Sequence, residues 1–291
     1  MKILLFGKNG QLGWELQRTL APLGGITALD FEDLDLGDAD ALRRKLQDLR
    51  PEVIVNAAAY TNVDGAERDR DQAFAINATA PQVMAEEAKS IDASLIHYST
   101  DYVFDGAKGS PYVEGDAPHP VNAYGASKLH GEQAVQAVGG SFLIFRTAWL
   151  YSMRGDNFVT KVLSWARKHE VLHIVDDQIA NPTWARTLAQ LTAHVLIHGA
   201  QYVAAHRGLY HLAGDGYASR YEWAKEILRL DPKPEEQMAQ DVRRAVTSDI
   251  PTPAKRPTFS ALNCGLCTEV FGLTAPPWAH ELKLALLDSA H

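Results

Sequence analysis

Short apolar runs alternate with amphipathic stretches through the first half of the chain. Residues 2–6 (KILLF) have the unbroken apolar character of a strand buried on both faces, and 14–24 have the spacing of a helix closed by glycine. The alternation continues with a strand at 26–30, a helix at 39–50, a strand at 52–59 and a helix at 71–90. A strand at 94–100, a helix at 122–138 and a strand at 142–151 complete this half. Continuous apolar strands separated by helices require a parallel sheet covered on both faces, with right-handed crossovers. The predicted fold class is α/β, a doubly wound parallel sheet.

Past Tyr151 the rhythm loosens. Helices are predicted over 157–170, 183–199 and 219–230, and strands over 171–175 and 208–214. Two proline-rich stretches, 231–237 and 250–257, read as turns or linkers, and a last helix spans 276–289. The chain therefore divides into a first domain over 1–150 and a smaller, mainly substrate-binding α/β domain over 151–291, with later segments, about 171–205, returning to the first.

Composition narrows the function classes. The 291 residues are 46% hydrophobic and 22% charged, as in an ordinary globular chain of one large or two modest domains. A net charge of −8 leaves no basic footprint for nucleic acid or an anionic membrane. An anionic small molecule stays open, because backbone amides at a helix start bind one without net positive charge. The five-residue apolar run at the N-terminus, cut off by a glycine turn, is not the pattern of a signal peptide, and no stretch has the length of a membrane span. The chain reads as cytoplasmic. Cys264 and Cys267 form a lone C-x-x-C without a second ligand pair, so neither they nor the eleven histidines are assigned a metal.

Candidate chemistry begins at the first turn. Gly7, Gly10 and Gly13 lie between the first strand and the first helix, spaced G-x-x-G-x-x-G rather than G-x-G-x-x-G. Glycines there let backbone amides approach a pyrophosphate, and the helix start adds its positive dipole end. A purely structural turn is the alternative. Asp30 follows 17 residues after Gly13, where a carboxylate accepts from a ribose 2′-hydroxyl and repels a 2′-phosphate, making NADH the simpler fit. Its alternative is a capping role in the polar stretch LDFEDLD. Asp35 lies where the next loop passes an adenine.

Residues 124–128 read YGASK. Tyr124 and Lys128 share a helix face, about 6 Å apart at Cβ. A free phenol titrates near pH 10, and an ammonium beside it favours the phenolate, giving a group that exchanges a proton at a carbonyl or alcohol oxygen. Ser99 and Thr100 end a predicted central strand, where the carboxyl edge of a parallel sheet holds ligands. The alternatives are a solvated surface pair and a strand-ending hydroxyl that caps the next turn.

Together the glycine turn, the hydroxyl residue after the fourth strand and Tyr124-x-x-x-Lys128 resemble the extended short-chain dehydrogenase/reductase family. The strings LLFGKNGQLGWELQRTL, VIVNAAAYTNVDGAE, IHYSTDYVFDG, YGASKLHGE, FRTAWLY and RPTFSALN are similar, in this order, to those of its dTDP-sugar reductases. The resemblance implies a Rossmann domain over 1–150 that binds NADPH or NADH, and reduction of the C4 keto group of dTDP-4-dehydro-L-rhamnose. It implies cofactor contacts at Gly7, Gly10, Gln11, Leu12, Gly13, Asp30, Asp35, Leu36, Ala59, Tyr60, Thr61 and Tyr98, besides Tyr124 and Lys128. Thr100, Tyr124 and Lys128 form the implied catalytic set, with Thr100, Asp101 and Trp149 at the sugar nucleotide. Family members accept either cofactor, which weakens the discrimination read from Asp30.

Other residues keep two readings. Trp149 is core packing or, with the resemblance, a substrate-stacking ring. Arg146 is a buried structural charge or a phosphate partner, and Arg256 a pyrophosphate clamp or a surface residue. Some relatives form metal-linked dimers through acids on the first helix and on the helix after 171–175. Glu15 is present, but Arg186 stands where the second acid is expected. A guanidinium cannot ligate a cation, which speaks against a bridging Mg²⁺ and leaves a monomer or weak homodimer. Rival functions are another nucleotide-sugar epimerase, dehydratase or reductase, a non-catalytic regulatory subunit on the same fold, and a chain with no tuned tyrosine at all.

Overall fold

The computed structural model describes residues 1–288. Five strands of the first half, β1 (Lys2–Phe6), β2 (Gly25–Leu29), β3 (Val53–Asn56), β4 (Ser94–Thr100) and β5 (Ser141–Thr147), join Gly208–His211 in one sheet. Its order is β2-β1-β3-β4-β5 and then Gly208–His211, every pairing parallel. The order reverses between β1 and β3, so the crevice of a doubly wound sheet opens at their carboxyl ends.

Alternate side chains of each strand enter two cores. Ile3, Leu5, Val53, Val55, Ile96 and Phe145 pack on Leu12 and Leu16 of α1 (Gln11–Thr19) and on Leu20 at its end. Leu4, Phe6, Ile54, Leu95 and Ile144 pack against α2 (Ala39–Leu49) and the helices between β3 and β5. The helix Ala185–Leu196 also joins the first core, through Leu188, Leu191 and Val195. Val171–Val175 instead pairs with Asp241–Ala245 in a separate two-stranded sheet. A third core around Trp223, Tyr151 and Leu282 gathers the helices Phe158–Ala166, Arg220–Arg229 and Trp278–Asp288.

Three departures from the sequence pattern have local causes. The helix expected over 71–90 is α3 (Arg70–Phe74), a π-helical turn (Ala75–Thr79) and α4 (Ala80–Ser90). Pro81 has no N–H to give the carbonyl of Asn77 four residues earlier, so the regular ladder cannot close there. The strand expected over 142–151 breaks at Trp149, whose φ of +40° is left-handed, and resumes as Leu150–Tyr151 paired with Thr183–Trp184. Asp241–Ala245 lacks an apolar alternation and forms a strand by pairing with Val171–Val175. The last helix is Trp278–Asp288; position 289 of the expected 276–289 lies outside the described residues.

Candidate active site

The glycine turn is shaped by what cannot fit in it. Gly7 has φ +85°, and a Cβ there would sit 2.8 Å from the backbone of Ala57 and Ala58 beyond β3. A Cβ on Gly13 would lie 1.8 Å from the carbonyl oxygen of Gly7. The first turn of α1 is thus drawn onto the end of β1. No side chain caps α1 at Gly10, so its leading amides remain available to an anion. Asp30 holds the turn from β2, its carboxylate accepting from the amides of Asn9 and Phe31, each at 2.8 Å. A small pocket of about 120 Å³ beside it is lined by Asp30, Asp35, Leu36 and Ala59. These features fit a dinucleotide: a cradle without side chains for the diphosphate and a pocket for the adenosine half.

A cleft of about 600 Å³ runs from this turn along the carboxyl ends of the strands. It brings Gly7, Gly10, Gln11, Leu12, Ala59 and Thr61 to one wall and Tyr98, Thr100, Asp101, Tyr124, Lys128 and Trp149 to the other. Tyr124 and Lys128 stand on α5 (Ala123–Val138), which begins where the Asn122 side chain accepts from the Gly125 amide at 2.8 Å. Gly125 is required by the packing, since a Cβ would meet the Tyr102 carbonyl oxygen at 2.1 Å.

Three expected contacts take another form. Gly13 lies beneath the turn, outside the cleft lining. Tyr60 is also outside it: its hydroxyl donates to Asp69 at 2.9 Å, and its amide donates to Asn77 at 2.9 Å. The ring of Tyr98 belongs to the first core, with its hydroxyl bonded to Thr192, so the residue faces the site mainly through its backbone.

Electrostatics set the titrating groups apart. Lys128 is buried and donates from Nζ to the Tyr98 carbonyl at 2.6 Å; burial lowers its pKa from 10.5 to about 8, against an upward pull from Glu132. Burial pushes the Tyr124 phenol well above its ordinary value, and a hydrogen bond with Thr100 pulls it partly back. Lys128 is not among the groups that shift it. The expectation of a lysine-lowered phenol is therefore corrected: desolvation raises it, and the ammonium is turned toward Tyr98. Asp101 is buried and raised to about 6, held by hydrogen bonds from Thr100 at 3.0 Å and Ser260.

Trp149 is packed as the core reading expects and also stands in the cleft lining. Its ring stacks on Trp223 at 5.4 Å and 13°, and its backbone takes a left-handed conformation that favours glycine. Arg146 is a structural charge, its guanidinium forked onto Glu132 of α5 at 2.9 and 2.6 Å in the buried layer under the site. Arg256 pairs with Asp64 at 2.9 Å.

Several site residues carried no readable signal. Asn77, in the π-helical turn, bonds the backbone of Tyr60 in both directions and donates to Ser127 of α5 at 3.0 Å. Ser260 reaches Asp101 from 159 residues away. Arg220 lines the cleft from the first position of the helix Arg220–Arg229. Only Ser219 before it, in a capping box with Glu222, marks a helix start.

Away from the cleft, the Arg186 guanidinium lies 3.5 Å from the carboxylate of Glu15. His194 and His198 do have an H-x-x-x-H spacing, but His194 bonds the carbonyl of Gln190 and His198 packs on Tyr202. Among the described residues no cluster of three or more His, Cys, Asp or Glu could hold a metal. Cys264 and Cys267 are free thiols with pKa values pushed up to about 12 by burial. No described helix is long and apolar enough to cross a membrane.

Comparison with known proteins gives this geometry a context. The model of the family described as RmlD substrate binding domain matches residues 1–290. A dTDP-4-dehydrorhamnose reductase of Burkholderia thailandensis is 44% identical over 294 residues, covering 99% of each chain. The structure of a dTDP-4-dehydrorhamnose reductase from Clostridium acetobutylicum superposes with a TM-score of 0.92 at 36% identity, over 100% of both chains. A Bacillus anthracis enzyme of the same name, solved in complex with NADP, gives 0.89 at 34% identity, over 99% of this chain and 100% of that one.

Proposed function

The chain belongs to the RmlD substrate binding domain family, and on that premise we propose that it catalyses the NAD(P)H-dependent reduction of the C4 keto group of dTDP-4-dehydro-L-rhamnose, giving dTDP-L-rhamnose. The observation that carries this reading is the convergence of Thr100, Tyr124 and Lys128 on one cleft with an uncapped, glycine-lined helix start.

The bound nicotinamide supplies the hydride that reaches C4. The amides of Gly10, Gln11 and Leu12 would hold the diphosphate of the cofactor, and Asp30, Asp35 and Leu36 would border its adenosine half. Tyr124 protonates the C4 oxygen as the carbon–oxygen double bond becomes single. Its raised pKa suits the reductive direction, because the phenol is protonated at neutral pH and has its proton to give. Thr100, whose hydroxyl donates to Asp101 in the free protein, turns that one proton to the same oxygen when substrate is bound, and Asp101, still held by Ser260, presents an acceptor to a sugar hydroxyl. Lys128, held by the Tyr98 carbonyl, would hold the ribose of the nicotinamide half of the cofactor. Trp149 gives the sugar an apolar face. The protein acts as a monomer or weak homodimer in the cytoplasm.

The test is oxidation of NADH, and separately NADPH, with dTDP-4-dehydro-L-rhamnose by the wild type and Tyr124→Phe. Turnover that collapses in the variant while cofactor still binds supports the reductase and its proton donor. A folded wild-type protein that binds cofactor but turns over with neither would sink the reading and favour an epimerase or a regulatory subunit.

A further inference from the structure

Arg220 makes no ion pair among the described residues; the carboxylate that acts on it is Asp101, near enough to favour its charge without contact. Arg220 lines the cleft opposite the glycine turn. The neighbouring Arg256, by contrast, is paired with Asp64 at 2.9 Å. A guanidinium taken out of water keeps its charge, so its surroundings must supply either counter-charge or a stacking face.

The structure supplies the stacking face. The guanidinium carbon sits 3.7 Å from the centroid of Trp149 and 4.6 Å from that of Phe158. It shares a hydrogen bond with Tyr102. Its backbone is fixed too, the amide donating to the Gln178 carbonyl at 3.1 Å at the start of a helix capped by Ser219. Such an arginine is held flat against a tryptophan, with its N–H edge left over. Arg256 adds a second positive charge close enough to depress ionisation of Arg220, and its Nη1 is buried without a partner among the described residues. Arg220 offers its donors to the cleft beside Trp149, and Arg256, outside the cleft lining, adds positive charge behind it, so that this end of the cleft suits a dianion.

We propose that Arg220 is a further substrate-binding residue, which takes the diphosphate of the nucleotide sugar through the free edge of its guanidinium. This rests on the reading of the substrate as a dTDP-sugar and goes beyond it in naming the group that reads the diphosphate. Planar fork geometry matches phosphate oxygens, and stacking on Trp149 removes most of the rotamer freedom that binding would otherwise cost. The same contact places the diphosphate beside the ring that borders the sugar.

The experiment compares dTDP and thymidine as calorimetric probes of wild type, Arg220→Gln and Arg220→Lys. Loss of a charge-assisted contact to phosphate weakens dTDP by about tenfold or more in Arg220→Gln, with thymidine unchanged. Arg220→Lys keeps the charge and loses the fork, and weakens dTDP several-fold with thymidine again unchanged; it carries the test should the glutamine variant not fold. Equal dTDP affinity in variant and wild type would overturn the proposal, as would a parallel loss for both probes, which marks packing alone. A wild-type protein that turns over the keto sugar but shows no preference for dTDP over thymidine overturns the proposal and spares the reductase. One that neither binds dTDP nor turns over removes both.

Discussion

Lys128 donates from Nζ to the main-chain carbonyl oxygen of Tyr98 across 2.6 Å, tying the middle of α5 to the carboxyl end of β4. The bond orients an ammonium that burial has already weakened, from 10.5 to about 8. The charged form is the one present below that value. As pH rises through about 8 the ammonium, and with it its charged contact to the cofactor ribose, is lost, so kcat/KM falls along a descending limb centred near 8. Lys128→Met should lose that limb and run lower at neutral pH by about 10²-fold. A profile flat to pH 10 in the wild type would show that the lysine charge is not needed.

Tyr124→Phe removes the proton donor and little else, since the ring keeps its edge contact with Tyr102 at 5.8 Å. Proton transfer by a placed side chain is worth about 10²–10⁴ in rate, and kcat should fall by that factor with KM nearly unchanged. Fluorescence titration with NADPH should give wild-type affinity. A variant that keeps a tenth or more of wild-type kcat would move the proton transfer elsewhere.

The parts legible in the sequence are those written in local patterns. Apolar continuity marked β1, β3 and β4, and glycine spacing marked the turn, because strand burial and tight turns depend on adjacent residues. Tyr124 and Lys128 were legible because one helical turn fixes their distance. The protonation of Tyr124 was not: it depends on how deeply α5 is packed, which no spacing encodes. Arg220 reaches the cleft, and Ser260 reaches Asp101, from far along the chain, and although RPTFSALN contains Ser260 no local pattern ties either residue to the site. Asn77 was hidden inside a helical pattern whose π-helical turn follows from Pro81 and from the close approach of Gly131, where a Cβ would meet the Asn77 carbonyl oxygen at 2.1 Å.

The Arg146–Glu132 pair lies beneath the site, at 4% and 0% exposure. Glu132 also accepts from Ser99 of β4, so the pair ties α5 to two strands. Breaking one partner leaves a buried charge alone, and Arg146→Met should cost about 3–5 kcal/mol in urea denaturation. Arg146→Met with Glu132→Leu should recover much of that loss, because two apolar side chains bury without desolvation cost. Equal stability of the single and double variants would show that the ion pair itself contributes little.

Glu281 gives a stability prediction with a definite sign. It is fully buried in the last helix, one carboxylate oxygen has no partner among the described residues, and burial raises its pKa from 4.5 to about 7. A carboxyl whose folded pKa is raised favours the folded state while protonated. That contribution is complete below about 4.5 and is lost as pH rises through about 7. Above neutrality the folded chain holds a desolvated carboxylate, with only the Trp184 amide at 3.3 Å and the Thr187 hydroxyl to offset it. Glu281→Gln keeps the shape and removes the charge. It should therefore be more stable than wild type at pH 8, by about 2 kcal/mol, and differ little at pH 5. Thermal unfolding of both proteins across that range reads the difference directly, and a gap that does not change with pH would mean that Glu281 titrates as an ordinary glutamate.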